Sequence, residues 1–360
     1  MIRRVEAFLH SKSVFPSHGD HPKVIKVDDN YPDDQLVKAF EGQDAIVSAI
    51  PGRPYNVHLR MIDAAIEAGV KRFIPSEYGN NTCAAAAELV PLYGDKAKVI
   101  AYLKEKENTG LTWTAIHAGQ FFDWGLESRW LDYHLDEKRV TIYDSGEKLW
   151  STTNIKTVAT AVAKVLLKPD ETKNKPLFIA SFTVSQYQVL EALEEATGSK
   201  WAVSRMTSEE ALEKANKLDN KDHSDGLKLL ILMLLYADGV DRGANFENDG
   251  LLCNELLDLP KENLIDVIDR VVKPKILIWS TYMLELRLGQ LTFLAFVFAA
   301  ISFVLSFSRI NVPELQGLRQ WTWFVVGKVL NAISVGLHLF NTEVKMLRRS
   351  ARWKIPISYV

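Results

Sequence analysis

Only two cysteines, Cys83 and Cys253, occur in the 360 residues of this chain. No disulfide framework can staple it, and a reducing compartment is expected. No signal peptide opens it. No turn of the G-x-G-x-x-G kind follows any strand, and the first glycine, Gly19, stands alone. No cysteine or carboxylate spacing suggests a metal site. Nor is there a large charge of one sign: the net is −2. That figure hides an asymmetry, because residues 274–360 carry ten Lys or Arg against three Glu, a local net of +7 that leaves −9 on residues 1–273. An acidic body argues against nucleic acid as a partner. With 24% charged and 47% hydrophobic residues, the composition is that of a folded chain with room for one large or two modest domains.

What is present centres on residues 44–79. Asp44-Ala45-Ile46-Val47-Ser48-Ala49-Ile50 is almost wholly apolar, as a parallel strand covered on both faces must be. Pro51-Gly52 stops it. Leu59, Ile62, Ala65 and Ile66 recur at helical spacing and Gly69 stands at a C-cap position. Arg72-Phe73-Ile74-Pro75 begins the next strand and runs out into Ser76-Glu77-Tyr78-Gly79. Two parallel strands joined by one helix form a right-handed βαβ unit. Ligands of such sheets sit beyond the carboxyl ends of the strands. The site is therefore expected at residues 48–52 and 75–80.

Upstream, Lys23-Val24-Ile25-Lys26-Val27-Asp28 alternates as a strand and residues 32–41 read as a short helix. Met1-Ile2-Arg3-Arg4 reads as the end of a second strand, and the first βα unit expected before it, roughly 30 residues, is missing from this sequence. Downstream, residues 95–107 predict a helix and 111–118 a buried strand. Further strands are expected at 139–143 and 176–181, with helices at 154–167, 185–197 and 208–218. The apolar stretch 227–236 is too short to span a bilayer and reads as a buried helix. Asn80-Asn81-Thr82 is formally a glycosylation sequon, without meaning in a reducing compartment.

Three sequence blocks carry a resemblance. Asp44-Ala45-Ile46-Val47-Ser48 is one. Ile62-Asp63-Ala64-Ala65, continued through Gly69-Val70-Lys71-Arg72-Phe73-Ile74-Pro75-Ser76-Glu77-Tyr78-Gly79, is the second. Leu111-Thr112-Trp113-Thr114 with the run Gly119-Gln120-Phe121-Phe122-Asp123-Trp124-Gly125-Leu126 is the third. Together they resemble the NmrA-like/isoflavone reductase family, its fungal branch in particular, over residues 2 to 272. The resemblance implies an atypical short-chain reductase of α/β class: a Rossmann-like parallel sheet, here N-terminally truncated (1–150), and a small C-terminal substrate portion (151–273). It implies NADP(H) as cofactor, binding doubtful without the glycine turn, and a small, possibly phenolic, substrate. Lys96, at the start of the helix before the third block, takes the family's catalytic position. Ser48, Ile50, Pro51, Pro75, Ser76, Glu77 and Lys96 would contact the cofactor, and Arg3 or Arg4 the adenosine 2′-phosphate. The alternatives are a non-catalytic NADP-sensing regulator and a truncated, inactive product.

Other residues compete. Tyr102-x-x-x-Lys106 has the spacing by which ordinary short-chain dehydrogenases set acid and helper on one helical face. It lies far along its helix and reads as packing. His117 and His134 could serve as acids, although a lone histidine is more often structural.

Residues 274–360 depart from the family. The run 288–308 is 21 residues without a charge and holds five Phe, enough for one transmembrane helix. A second apolar stretch, 321–340, is interrupted by Lys328 and His338. The basic end beyond it would stay cytoplasmic, so the expected topology is a membrane-anchoring hairpin with the body in the cytoplasm. A tail that never folds is the other reading.

Overall fold

The apolar runs of the 44–79 unit form two parallel strands joined through one helix. The computed structural model describes residues 6–10, 23–50, 55–82, 86–218, 223–239 and 243–273. In chain order the elements are β1 (Glu6–His10), β2 (Lys23–Val27), α1 (Asp33–Phe40), β3 (Ala45–Val47), α2 (Tyr55–Glu67), β4 (Arg72–Ile74), α3 (Ala86–Leu89) and α4 (Pro91–Glu105). Then come β5 (Thr112–His117), β6 (Gln120–Phe121), α5 (Phe122–Glu127), β7 (Tyr133–His134), β8 (Arg139–Tyr143), β9 (Trp150–Thr153), α6 (Ile155–Leu167) and α7 (Pro169–Thr172). The described portion closes with β10 (Lys175–Phe178), β11 (Phe182–Val184), α8 (Gln186–Thr197), β12 (Ala202–Met206), α9 (Ser208–Lys217), α10 (His223–Tyr236) and a helical segment at 264–273.

A four-stranded sheet in the order β10-β5-β4-β3 is parallel throughout. β3 pairs with β4 from Ala45 opposite Arg72, and the Ser48 amide extends the ladder to the Ile74 carbonyl at 2.8 Å. β10, from the expected substrate portion, adds to the far edge at β5, so residues on both sides of position 150 share one sheet. Two three-stranded sheets, β11-β9-β6 and β12-β8-β7, lie in the C-terminal half, and β1 pairs in parallel with β2.

Three apolar clusters hold this together. Phe40, Ile46, Ile62, Phe73 and Trp113 join α1, α2 and α4 to one sheet face. Ile74, Ile116, Val165 and Leu177 pack α6 on the sheet. Tyr133, Ile142, Trp150, Val189, Leu232 and Tyr236 fill the C-terminal half, and α10 is indeed buried there. Ile62, fully buried at the centre of α2, is worth roughly 1.5–3 kcal/mol of apolar transfer.

Polar clamps tie the C-terminal segments to the sheet. The buried Arg72 guanidinium donates to Thr112 Oγ1 (2.8 Å), Thr114 Oγ1 (2.7 Å), Thr172 Oγ1 (3.1 Å) and the Pro169 carbonyl (2.5 Å). It therefore locks α7 against the amino end of β4, opposite the expected site. Near the start of α6, the Glu262 carboxylate accepts from Asn154 Nδ2 (2.9 Å), Thr157 Oγ1 (2.7 Å) and Ser181 Oγ (2.5 Å).

The strand end expected at Met1-Ile2-Arg3-Arg4 lies outside the described residues, as do Arg3 and Arg4, and the first described strand is Glu6–His10. The structure corrects one sequence expectation, the start of α4, which begins at Pro91 and not at Asp95. Proline has no N–H to satisfy and a φ suited to the first helical turn, so Pro91 opens the helix four residues early. The segments 288–308 and 321–340 lie outside the described residues. Among those described, no helix is long and apolar enough to cross a membrane.

Candidate functional site

The carboxyl ends of β3, β4 and β5 meet in one place. The loop after β4 is pinned to the end of β5 by the amides of Ala118 and Gly119, which donate to the Gly79 carbonyl at 3.0 and 3.1 Å. Within that loop Tyr78 takes a φ of 32°, in the left-handed region. Such a conformation in a bulky residue is uncommon and tends to gather at functional sites.

Lys96 projects from the second turn of α4. Helical side chains tilt toward the N-terminus, and the Lys96 ammonium donates to the backbone carbonyl of Glu77. Burial lowers the Lys96 pKa, and the nearby Glu77 carboxylate raises it back in part. Glu77 is itself only 2% exposed. Burial pushes its carboxyl up, Lys96 pulls it down, and so does Thr82 Oγ1, which donates to Oε2 at 3.2 Å. Each group's charge is thus disfavoured by burial and restored by the other.

Beside this pair stands a second polar unit. His117, the last residue of β5, is fully buried, and its Nδ1 lies 3.1 Å from the Asn80 carbonyl oxygen. The Asn80 amide donates to Tyr93 Oη at 3.3 Å. Burial, opposed by the Asn80 hydrogen bond and aided by the Lys96 charge, brings the His117 pKa down to about 4. The imidazole is therefore neutral at pH 7, an acceptor and not an acid. Four buried polar atoms around these strand ends have no hydrogen-bond partner among the described residues: Ser48 Oγ, Tyr78 Oη, Asn80 Oδ1 and His117 Nε2.

Of the residues expected here, Glu77 and Lys96 are in direct contact. Ser48 is buried at the end of β3, Ile50 packs partly buried beside the α1–α2 cluster, Pro75 is buried and Ser76 half-buried after β4. Pro51 lies outside the described residues, as do Arg3 and Arg4. Tyr102 is elsewhere: its hydroxyl donates to both Asp63 carboxylate oxygens, at 2.7 and 2.8 Å, and Lys106 pairs with Asp63 at 3.1 Å. His134 sits half-buried with Arg139 Nη2 at 3.3 Å from its Nδ1. Asn80, Thr82 and Tyr93 are site residues that the sequence does not mark as such: Asn80 falls in the expected 75–80 loop, Asn80 and Thr82 otherwise stand out only as a sequon, and Tyr93 carries no signal. Asn80 is fully buried, which also takes it out of reach as a glycosylation acceptor.

A parallel sheet with its polar residues gathered at the carboxyl strand ends defines a Rossmann-like α/β protein. Its fold is that of a solved isoflavone reductase, which aligns with 74% of this chain and 90% of its own at 18% identity and a TM-score of 0.57. It is also that of a structure described as AtPrR2 with NADP+ and (+)pinoresinol, over 69% and 82% of the two chains at 19% identity and a TM-score of 0.53. In sequence, the chain is 38% identical over 265 residues to Oxidoreductase aprR of Aspergillus flavus, covering 73% of this chain and 87% of that protein. The profile of the NmrA-like family matches residues 21–224. The chain belongs to the NmrA-like family, with relatives of the isoflavone reductase type.

Proposed function

We propose that this chain is an NADPH-dependent reductase delivering hydride to a small organic substrate, with Lys96 handling the proton. The observation that carries this reading is the half-buried Lys96, whose ammonium is seated on the Glu77 carbonyl at the carboxyl end of β4. The unpartnered polar atoms of Ser48, Tyr78, Asn80 and His117 suit a polar ligand at these strand ends. The oxidoreductase name of the Aspergillus flavus relative and the NADP+ in the pinoresinol-bound structure support the cofactor class.

Ser48, Ile50, Pro51, Pro75, Ser76 and Glu77 are the residues assigned to contact the cofactor. Lys96 is assigned to the nicotinamide ribose, and Arg3 or Arg4 to the adenosine 2′-phosphate. A glycine-rich turn for the pyrophosphate is not among the described residues. When bound, NADPH supplies the hydride. Lys96 holds a proton at Nζ under conditions that make its charge costly, so it yields that proton readily to an oxygen gaining negative charge. Glu77 keeps the lysine in place through its carbonyl and limits the loss of charge through its carboxylate.

The test is calorimetric titration of the full chain with NADPH, followed by turnover of Lys96→Ala and Lys96→Arg. The reading expects nucleotide binding in all three proteins and lost turnover in Lys96→Ala. A wild type that binds no NADPH, or an alanine variant at full turnover, overturns it.

A further inference from the structure

Thr82 is fully buried on the loop that leaves β4, five residues after Glu77. That loop is held at three of its carbonyls. Lys96 Nζ donates to Glu77 O, the amides of Ala118 and Gly119 donate to Gly79 O, and His117 Nδ1 lies 3.1 Å from Asn80 O. The chain turns through Tyr78 in the left-handed region. It returns far enough for Thr82 Oγ1 to reach Glu77 Oε2 at 3.2 Å. An ionised carboxylate only accepts, so there the hydroxyl is the donor. A donor in that place favours the charged form of a carboxyl that burial drives toward the neutral acid.

What depends on that charge is Lys96. Among the described residues, the Glu77 carboxylate is the charge that favours its ammonium, against burial, which disfavours it. Asp95, its neighbour on α4, is paired with Lys98 at 2.9 Å. The other titratable groups around the two are His117, Tyr78 and Tyr93. Burial lowers the imidazole and raises both phenols, so all three are uncharged near neutral pH. Thr82, Glu77 and Lys96 thus form a line in which the hydroxyl acts on the carboxylate and the carboxylate on the amine.

We infer that Thr82 is a positioning residue, which keeps the Glu77 carboxylate ionised and thereby sets the pH up to which Lys96 holds its proton. The inference rests on the reductase reading for the use made of that proton.

The experiment treats the full chain with trace acetic anhydride from about pH 6 to about pH 11, a range spanning the ordinary lysine value. Only the neutral amine is acetylated, so mass spectrometry of the peptide carrying Lys96 gives its titration midpoint. Glu77→Gln should lower that midpoint by about one pH unit or more, the effect of removing an opposite charge at close range. Thr82→Val should lower it by a smaller step, and Thr82→Ser should restore it. Thr82→Ala takes the place of valine should that variant not fold. In the Glu77→Gln background the loss of the hydroxyl should add nothing, because no carboxylate is left for it to act on. A midpoint in Thr82→Val equal to the wild type, or a shift that persists undiminished in the Glu77→Gln background, marks a purely structural threonine and overturns the inference. An unchanged midpoint in Glu77→Gln overturns it as well. NADPH is titrated separately into the wild type by calorimetry. Its failure to bind sinks the reductase reading and leaves the Lys96 midpoints to decide this inference by themselves.

Discussion

A Cβ on Gly119 would lie 2.0 Å from the carbonyl oxygen of Ser151. The end of β5 and the start of β9 are therefore pressed together at a position where only glycine fits. Gly119 also has a φ of +63°, which side chains rarely adopt. Gly119→Ala should destabilise the protein by about 2 kcal/mol or more, combining overpacking with left-handed strain. Thermal or urea unfolding beside the wild type measures it, and an unchanged melt contradicts the close approach.

Lys96 and Tyr102 should respond differently to removal. Lys96→Ala is expected to lower turnover by roughly 10²–10⁴-fold, the usual contribution of a positioned proton donor. Tyr102→Phe removes a hydroxyl bound to Asp63 on the solvent side of α4 and should leave turnover within about twofold, as for exposed polar pairs. Equal losses in both variants would restore the Tyr-x-x-x-Lys alternative.

Arg72 is bound by neutral acceptors alone in the contacts resolved here, four of them around one planar guanidinium. Lysine cannot reproduce that fork. Arg72→Lys should cost about 2 kcal/mol and Arg72→Ala about 3 kcal/mol through the acceptors left behind. Since Arg72 lies at the opposite end of β4 from Lys96, NADPH affinity should not change at temperatures where the variants stay folded. Denaturation midpoints and a nucleotide titration check both halves of the statement.

His117 makes stability depend on pH. Its folded pKa, lowered by burial to about 4, lies below the unfolded value of about 6.5. Between these values the unfolded chain binds the extra proton, so stability is complete above about pH 6.5 and falls as pH drops toward 4. The loss attributable to this group is on the order of 3 kcal/mol across that window. His117→Phe should flatten this part of the profile, measured as unfolding free energy at intervals from pH 7 to 4. A variant whose profile parallels the wild type would show that His117 titrates alike in the folded and unfolded chain.

Much of the fold was legible because it rests on local chemistry. The apolar run at Ala45-Ile46-Val47 and the helical spacing of Ile62 and Ala65 predict β3 and α2. The 75–80 loop follows from where β4 ends. Lys96 was identified by resemblance alone, since a lysine near a helix start has no local signature of burial. The start of α4 lies at Pro91, four residues before the Asp95 at which the sequence places it, because proline suits the first helical turn.

The sequence by itself determined the order and kind of elements, because periodicity, proline and glycine act over a few residues. Only the tertiary structure decided what those elements do to one another. Asn80 and His117 are 37 positions apart, and nothing in either neighbourhood announces that a backbone carbonyl will choose the imidazole's tautomer. Gly119 must be glycine because of Ser151, and Arg72 is clamped by Pro169 and Thr172. These relations arise from close packing between distant segments, where the cost of burying a polar atom or adding a carbon depends on what the fold sets against it.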